Sequence, residues 1–240
     1  MENCFTRYTD SRAVFPSFPI IQHNCLGSWD VFLSLFHSFT RLPHPPFLVA
    51  IQDPTSRRSV LATFPGFLSF APPPPGRPLV AIYDSRTLNQ HLSCSTVSDD
   101  SAELLSVDVC SPEALFGSPH CSLRVTSVYL LHTNHPPYSS IPPERLFSFL
   151  PYPHLILGNF NLHHPLADPI RFLSEWEFTI SPCSLDVVFD VPSHVLNTPG
   201  IYTRFPFDTI SPPSVLDLAF ANTALSPLIS SWDTPLPSPG

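Results

Sequence analysis

Short apolar runs that end in polar residues recur along this chain. The clearest is Leu155-Ile156-Leu157, which is followed by Gly158 and then by a polar stretch. A run of this length between turn residues is typical of a buried β-strand, and we expect this strand to stop at the glycine. The same pattern predicts strands over residues 18–24, 47–51, 67–70, 79–83, 104–109, 123–131 and 215–220. Weaker patterns predict strands over 59–63, 201–205 and 228–232 and a polar loop over 93–103.

One early segment has helical periodicity instead. Ser28 can cap a helix whose apolar positions recur at helical spacing, and prolines from position 43 onward stop it. Strands stand on both sides of this segment, so the chain begins as a layered α/β protein. Two further helices are predicted, over residues 144–150 and after Asp168. The apolar positions of the first helix are Val31, Phe32, Leu35, Phe36 and Phe39.

The composition is compatible with one folded domain. The chain has 240 residues, of which 43% are hydrophobic and 20 are Phe, so a sizeable core is possible. Pro is abundant, with 32 residues, and Gly is scarce, with 7, which favours short strands and stiff loops over long helices. We predict a loose lead-in over residues 1–17 and a single domain over residues 18–240.

The charged residues exclude some chemistries. The formal net charge is −8, and all 11 residues counted as Lys or Arg are Arg. Without lysine the chain can form neither a phosphate-binding P-loop lysine nor a lysine Schiff base. The acidic balance argues against strong non-specific attraction to nucleic acid, although it leaves room for a local basic groove or a metal-bridged phosphate.

The cysteines and the hydropathy indicate a compartment. Six scattered Cys without a Cys-x-x-Cys pair are typical of a reduced, intracellular protein. No apolar run approaches the ~18 residues that a membrane-spanning helix needs, so we expect no membrane contact.

Polar side chains stand at the ends of several predicted strands. Asn24, Asp53 and Tyr129 each close one strand, and Asn159 follows another, while Asp217 lies inside a strand. The carboxyl ends of strands are where α/β proteins place their chemistry. Carboxylate and amide oxygens around one cleft are the ligands that Mg²⁺ prefers, and a bound phosphate could complete its coordination.

A purely structural interpretation stays open for four of these residues. Asn24 could satisfy a turn, and Asp53, which precedes a proline, could itself be a turn residue. Tyr129 could be a core tyrosine with a hydrogen-bonded hydroxyl, and Asp217 could be a structural carboxylate paired with an arginine.

Five stretches of the sequence, which occur in the same order as in the family, resemble the endonuclease/exonuclease/phosphatase superfamily of metal-dependent phosphodiesterases. The strongest similarity is to the endonuclease domain of fungal non-LTR, LINE-like retrotransposons, and it covers about residues 18–235. The fourth stretch is the longest and the most specific. The stretches are Gln22-His-Asn24, Ile51-Gln-Asp-Pro54, Ser127-Val-Tyr129, Gly158-Asn-Phe-Asn-Leu-His-His-Pro165 and Val215-Leu-Asp-Leu-Ala-Phe220.

The resemblance implies both a fold and a reaction. The fold is α/β, with two stacked mixed β-sheets flanked by helices in a four-layer sandwich. The reaction is attack of an activated water on a DNA phosphodiester, aided by Mg²⁺, which would place the protein in the nucleus. The implied metal ligands are Asn24 and Asp53, the implied phosphate-binding residues are Asn24, Asn161 and His163, and the implied catalytic residues are Tyr129, Asn159, Asn161 and Asp217.

Three departures from the family pattern predict reduced or lost activity. Asn159 occupies the motif position of an aspartate that orients or activates the water, and an amide cannot take a proton. Asp53 is one methylene shorter than the glutamate usual at its position. The family closes with a Ser-Asp-His strand end, whereas this sequence stops at Gly240, so we expect a C-terminally truncated domain.

The sequence is therefore compatible with three functions. The first is a degenerate endonuclease domain that keeps the fold and binds DNA or Mg²⁺ weakly. The second is an active Mg²⁺-dependent DNA endonuclease. The third is a non-catalytic interaction protein that offers its proline-rich segment, Pro72 to Pro78, to an SH3 or WW domain; a stiff connection between strands is the simpler interpretation of that segment.

Overall fold

Twelve strands and one α-helix form the regular structure of the residues that a computed structural model describes. Those residues are 18–42, 45–57, 60–72, 76–85, 93–96, 103–110, 123–130, 152–160, 193–198, 201, 203 and 217–233. In chain order the elements are β1 (Ile20–Asn24), α1 (Trp29–Phe39), β2 (Leu48–Gln52), β3 (Ser56–Arg57), β4 (Val60–Leu61), β5 (Phe67–Phe70), β6 (Val80–Ser85), β7 (Ser93–Thr96), β8 (Leu104–Cys110), β9 (Leu123–Tyr129), β10 (His154–Asn159), β11 (Ser193–Val195) and β12 (Asp217–Asn222).

The strands form two mixed sheets. The first has the order β1-β2-β6-β5, in which β1 and β2 are parallel and the other pairs are antiparallel. The second has the order β11-β12-β10-β9-β8-β7, in which β9 and β10 are the parallel pair. Among the described strands, β3 and β4 pair with each other and belong to neither sheet. The predicted α/β fold with two mixed sheets is confirmed.

The main core lies between the two sheets. Leu48 and Ala50 of β2 belong to one buried cluster with Leu155 and Leu157 of β10, which lies in the other sheet. Successive strand residues point to opposite faces, so Val49 faces away from this core and packs in a second cluster with α1. The sheets are therefore stacked face to face, as the resemblance implies.

Helix α1 covers the outer face of the first sheet. Its buried residues are aromatic or aliphatic and pack on β1, β2 and β6. The helices predicted over residues 144–150 and after Asp168 lie outside the described residues, so the helical layer on the second sheet stays a prediction. No described helix has the length and apolarity needed to cross a membrane. The helix residues in the second cluster are Phe32, Leu35, Phe36 and Phe39.

The predicted cap of α1 is present, and its contribution can be measured. Ser28 has an extended backbone, and its hydroxyl accepts a hydrogen bond from the amide of Val31 at 3.3 Å. We expect Ser28→Ala to lower the free energy of unfolding by about 1 kcal/mol, because one amide at the helix start loses its partner. Thr40→Ala, at the exposed far end of the same helix, is the matched control and is expected to change stability by less than about 0.5 kcal/mol. Equal effects in urea denaturation would contradict a capping role.

Some strand predictions are wrong in their limits. β10 does not stop at Gly158 but runs on through Asn159, because both residues still pair with β9 and β12. Residues 93–96 form the edge strand β7 rather than a loop, and β11 was not predicted at all. Both are short strands at the edges of the second sheet, where burial does not impose an apolar run.

The apolar residues near the end of the chain do not form a strand. A 3₁₀ turn at Ser226–Leu228 opens with Pro227 in its first turn, and irregular chain follows. Leu228, Ile229 and Trp232 nevertheless pack against the core between the sheets, so the segment is apolar without pairing. Residues 201 and 203 are also irregular where a strand was predicted. The lead-in over residues 1–17 lies outside the described residues, and the division into a lead-in and one domain stays a prediction.

Candidate functional site

Strand register brings three of the predicted site residues together. Asn159 of β10 is the partner of Tyr129 in β9 and of Asp217 in β12. Asp217 is the first residue of its strand rather than an interior one. Because side chains alternate along a strand, Asn159 shares its face with Leu157 and Asp217 shares its face with Ala219, both in the core between the sheets. The three polar residues thus stand side by side at one end of the sandwich.

A buried hydrogen bond joins this row to the first sheet. The Nε2 of Gln52, the last residue of β2, donates to the hydroxyl of Ser127 in β9 at 3.0 Å. Gln52 is also the register partner of Asn24, the last residue of β1. The ends of β1 and β2 therefore lie against the same end of the sandwich as the row of Tyr129, Asn159 and Asp217.

Asn24 is engaged in its own turn. Its side-chain oxygen Oδ1 accepts a hydrogen bond from the amide of Leu26 at 2.9 Å. Leu26 has a φ of 51° and Gly27 a φ of 64°, so the chain reverses sharply here. The amide of Gly27 then donates to the carbonyl of Asp53 at 2.8 Å, which ties this turn to the loop after β2. The side chain of Asn24 therefore stabilises the turn after β1, and its predicted role in binding metal and phosphate stays a prediction.

Asp53 lies on that second loop in a left-handed conformation, with a φ of 46°. Its carboxylate is half-buried and forms an ion pair with the guanidinium of Arg77, which also donates to the carbonyl of Pro54 at 3.4 Å. Burial raises the pKa of Asp53 above its ordinary value, and Arg77 opposes that rise. Asp53 is therefore a turn residue with a charged partner.

Cys25, the residue directly after β1, is a poor candidate for a nucleophile. It is buried, and its amide continues the pairing of β1 and β2 by donating to the carbonyl of Gln52 at 2.9 Å. Burial, reinforced by the nearby carboxylate of Asp53, raises the pKa of the Cys25 thiol to about 12. The thiol is protonated at neutral pH, whereas nucleophiles and metal ligands need the thiolate.

The described residues do not form a preorganised magnesium site. Mg²⁺ takes oxygen ligands, usually including one or two carboxylates that are free to coordinate. Asn24 already accepts a hydrogen bond from a backbone amide, and one carboxylate oxygen of Asp53, Oδ1, is paired with Arg77. Among the described residues no group of three or more His, Cys, Asp and Glu side chains could hold a metal. Asn161 and His163, the other predicted phosphate-binding residues, lie outside the described residues.

The structure adds residues that the sequence analysis did not assign. Arg77, Gln52 and Ser127 have the contacts given above, and Gln22 in β1 is buried with an Nε2 that has no hydrogen-bond partner in the described structure. Gln22, Gln52 and Ser127 lie in stretches that carry the resemblance, so the sequence held a signal for them. Arg77 had none, because its position depends on how the segment after β5 folds back.

The proline-rich segment is only partly described. Pro72 and Pro78 are buried and Arg77 is exposed, whereas residues 73–75 lie outside the described residues. The segment connects β5 to β6, which are antiparallel neighbours. The contact with an SH3 or WW domain stays a prediction.

Two solved structures resemble the fold. The endonuclease domain of TRAS1, a telomere-specific non-LTR retrotransposon, matches with a TM-score of 0.57 and 14% identity over 88% of this chain and 93% of that one. TDP2 of D. rerio, complexed with a single-strand DNA product, matches with a TM-score of 0.50 and 12% identity over 85% of this chain and 83% of that one. No family model matches the sequence. No curated protein matches it either.

Proposed function

We propose that this chain, which has the fold of the endonuclease/exonuclease/phosphatase superfamily, is a DNA-binding domain derived from a retrotransposon endonuclease, with hydrolytic activity that is reduced or lost. Both solved structures named above have this fold and process DNA, which supports a nuclease-like domain. A DNA substrate would place the protein in the nucleus.

One observation carries the loss of activity. Asn159 is buried between Tyr129 and Asp217 on neighbouring strands, in the position that the resemblance gives to a water-activating aspartate. An amide donates and accepts hydrogen bonds but takes up no proton at neutral pH. Losing a general base typically slows a reaction by about 10²–10⁴-fold. The site therefore lacks the group that would activate water.

Exposed apolar side chains beside the site support binding of DNA. Leu26 is 56% exposed and Trp29 is 48% exposed, and both follow Asn24 closely in the chain. The ring of Trp29 stacks on Phe32 of the same helix, with ring centroids 5.6 Å apart, so it is held in place. Aromatic side chains of this kind stack with unpaired bases at little cost in sequence preference.

Nicking of supercoiled plasmid in Mg²⁺ tests the proposal. We expect the wild type to bind a fluorescein-labelled single-stranded oligonucleotide while nicking at background rates. Asn159→Asp restores a carboxylate, and we expect it to raise the nicking rate by about 10²-fold. Asn159→Ala is the matched control, because it removes the amide without supplying a base.

Two outcomes would contradict the proposal. Nicking by the wild type at the rate of Asn159→Asp would show that another group activates the water, which favours the active endonuclease. Failure of the wild type to bind the oligonucleotide would remove the DNA-binding function, leaving an interaction protein as the alternative.

A further inference from the structure

Arg77 lies over the loops that close the candidate site. Besides its ion pair with Asp53, it packs so closely on Gly27 that a Cβ there would lie 2.8 Å from its Nη2 atom and 3.7 Å from Asp53 Oδ2. The guanidinium therefore fills the space between the turn after β1 and the loop after β2. A side chain at position 27 would require the end of Arg77 to move.

The guanidinium keeps donors for a further partner. An arginine has five N–H groups in a planar fork. In the described structure those of Nη2 are used by Asp53 and Pro54, whereas Nε and Nη1 have no protein partner. The Arg77 side chain is 50% exposed and that of Asp53 only 22%, so the acid is covered and the remaining donors face solvent. A fork held in this way suits a phosphate, which accepts two parallel N–H bonds.

The same contact accounts for the mismatch with Mg²⁺. The carboxylate of Asp53, which would otherwise hold a metal cation, is already paired with the positive charge of Arg77. A phosphate entering the site would therefore meet a fixed guanidinium. Asp53 acts on the ligand through Arg77 and is a positioning residue.

We propose that Arg77 takes the place of the metal ion at this site, so that the protein binds the DNA phosphodiester without a divalent cation. This inference rests on the proposed DNA-binding function. It adds that binding persists in EDTA and depends on a residue outside the motifs of the resemblance.

Fluorescence anisotropy of the full chain with the labelled single-stranded oligonucleotide tests the inference. In EDTA we expect wild-type affinity within about twofold of that in Mg²⁺, because the cation is supplied by Arg77. Arg77→Gln should weaken binding by roughly tenfold and make the plot of log affinity against log salt shallower by about 0.7, the value for one lost phosphate contact on a single strand. Arg77→Lys keeps the charge without the fork and should fall between the two.

Arg41→Gln is the matched control. Arg41 is exposed just past the end of α1, so this variant makes the same charge change away from the loops. Circular dichroism would confirm that each variant is folded. Binding that needs Mg²⁺, or equal losses in Arg77→Gln and Arg41→Gln, would overturn the role of Arg77 while leaving DNA binding intact. Absence of wild-type binding in both buffers would refute the proposed function and this inference together.

Discussion

Replacing Gly158 by alanine is expected to lower the free energy of unfolding by about 3 kcal/mol or more, the upper range for overpacking a core. A Cβ at this position would overlap the backbone carbonyl oxygen of Val128 and lie 2.8 Å from the carbonyl carbon. Backbone atoms cannot rotate away as the end of a side chain can, so β9 and β10 would have to separate. These strands are the parallel pair that carries Tyr129 and Asn159. Urea denaturation of both proteins measures the loss.

Gly66→Ala is the control for Gly158→Ala. Gly66 has a φ of 88°, and no described atom lies within 4 Å of the place that a Cβ would take, so alanine there meets backbone strain but no overlap. We expect a loss of about 1 kcal/mol from that strain. Similar losses at both positions would show that the strands can adjust at Gly158. If a Gly158 variant neither nicks nor binds DNA, the loss would therefore reflect unfolding rather than a role of Gly158 in the chemistry.

Most strands and the first helix could be predicted from the sequence because burial of their apolar side chains leaves a periodic pattern. The alternation that places Leu48 and Ala50 toward the second sheet is visible as an apolar run, and the cap at Ser28 is a local signal. Strand limits depend instead on which backbone groups find partners. β10 therefore extends past its apolar residues to Asn159, and the polar edge strand β7 left no pattern to detect.

The candidate site could be predicted in part for the same reason. Strand ends are local features, and Tyr129, Asn159 and Asp217 do meet because register brings neighbouring strands together. The ion pair of Arg77 with Asp53 joins residues that are 24 positions apart and lie on two irregular segments. No periodicity or motif encodes such a pair, so the charge state of the site becomes visible only in three dimensions.

A buried polar chain on the outer face of the second sheet was also hidden from the sequence. The imidazole Nε2 of His154 lies 2.9 Å from the hydroxyl of Thr126, which lies 2.9 Å from the hydroxyl of Ser106. Beside it, Arg124 donates two hydrogen bonds to Asp108, each of 2.7 Å. The three strands β8, β9 and β10 are thus linked by side chains as well as by their backbones.

Because His154 is buried in this row of hydrogen-bonded side chains, the free energy of unfolding depends on pH. Burial lowers the pKa of His154 to about 4, with a smaller contribution from Arg124 in the same direction and an opposing one from Asp108. The unfolded chain binds a proton at this histidine near its ordinary pKa of about 6.5, whereas the folded protein does not until about pH 4. Stability from this group is therefore complete above the unfolded value and is lost as the pH falls from about 6.5 toward 4.

We expect His154 to account for about 3 kcal/mol of lost stability across that pH range. The free energy of unfolding, measured in urea at several pH values, should fall more steeply for the wild type than for His154→Gln, which has no titrating group but can still hydrogen-bond to Thr126. His194→Gln removes an exposed histidine from the same sheet and should follow the wild-type curve. Parallel curves for wild type and His154→Gln would show that the folded protein accepts the proton, and that the Ser106–Thr126–His154 chain opens without cost to β8, β9 and β10.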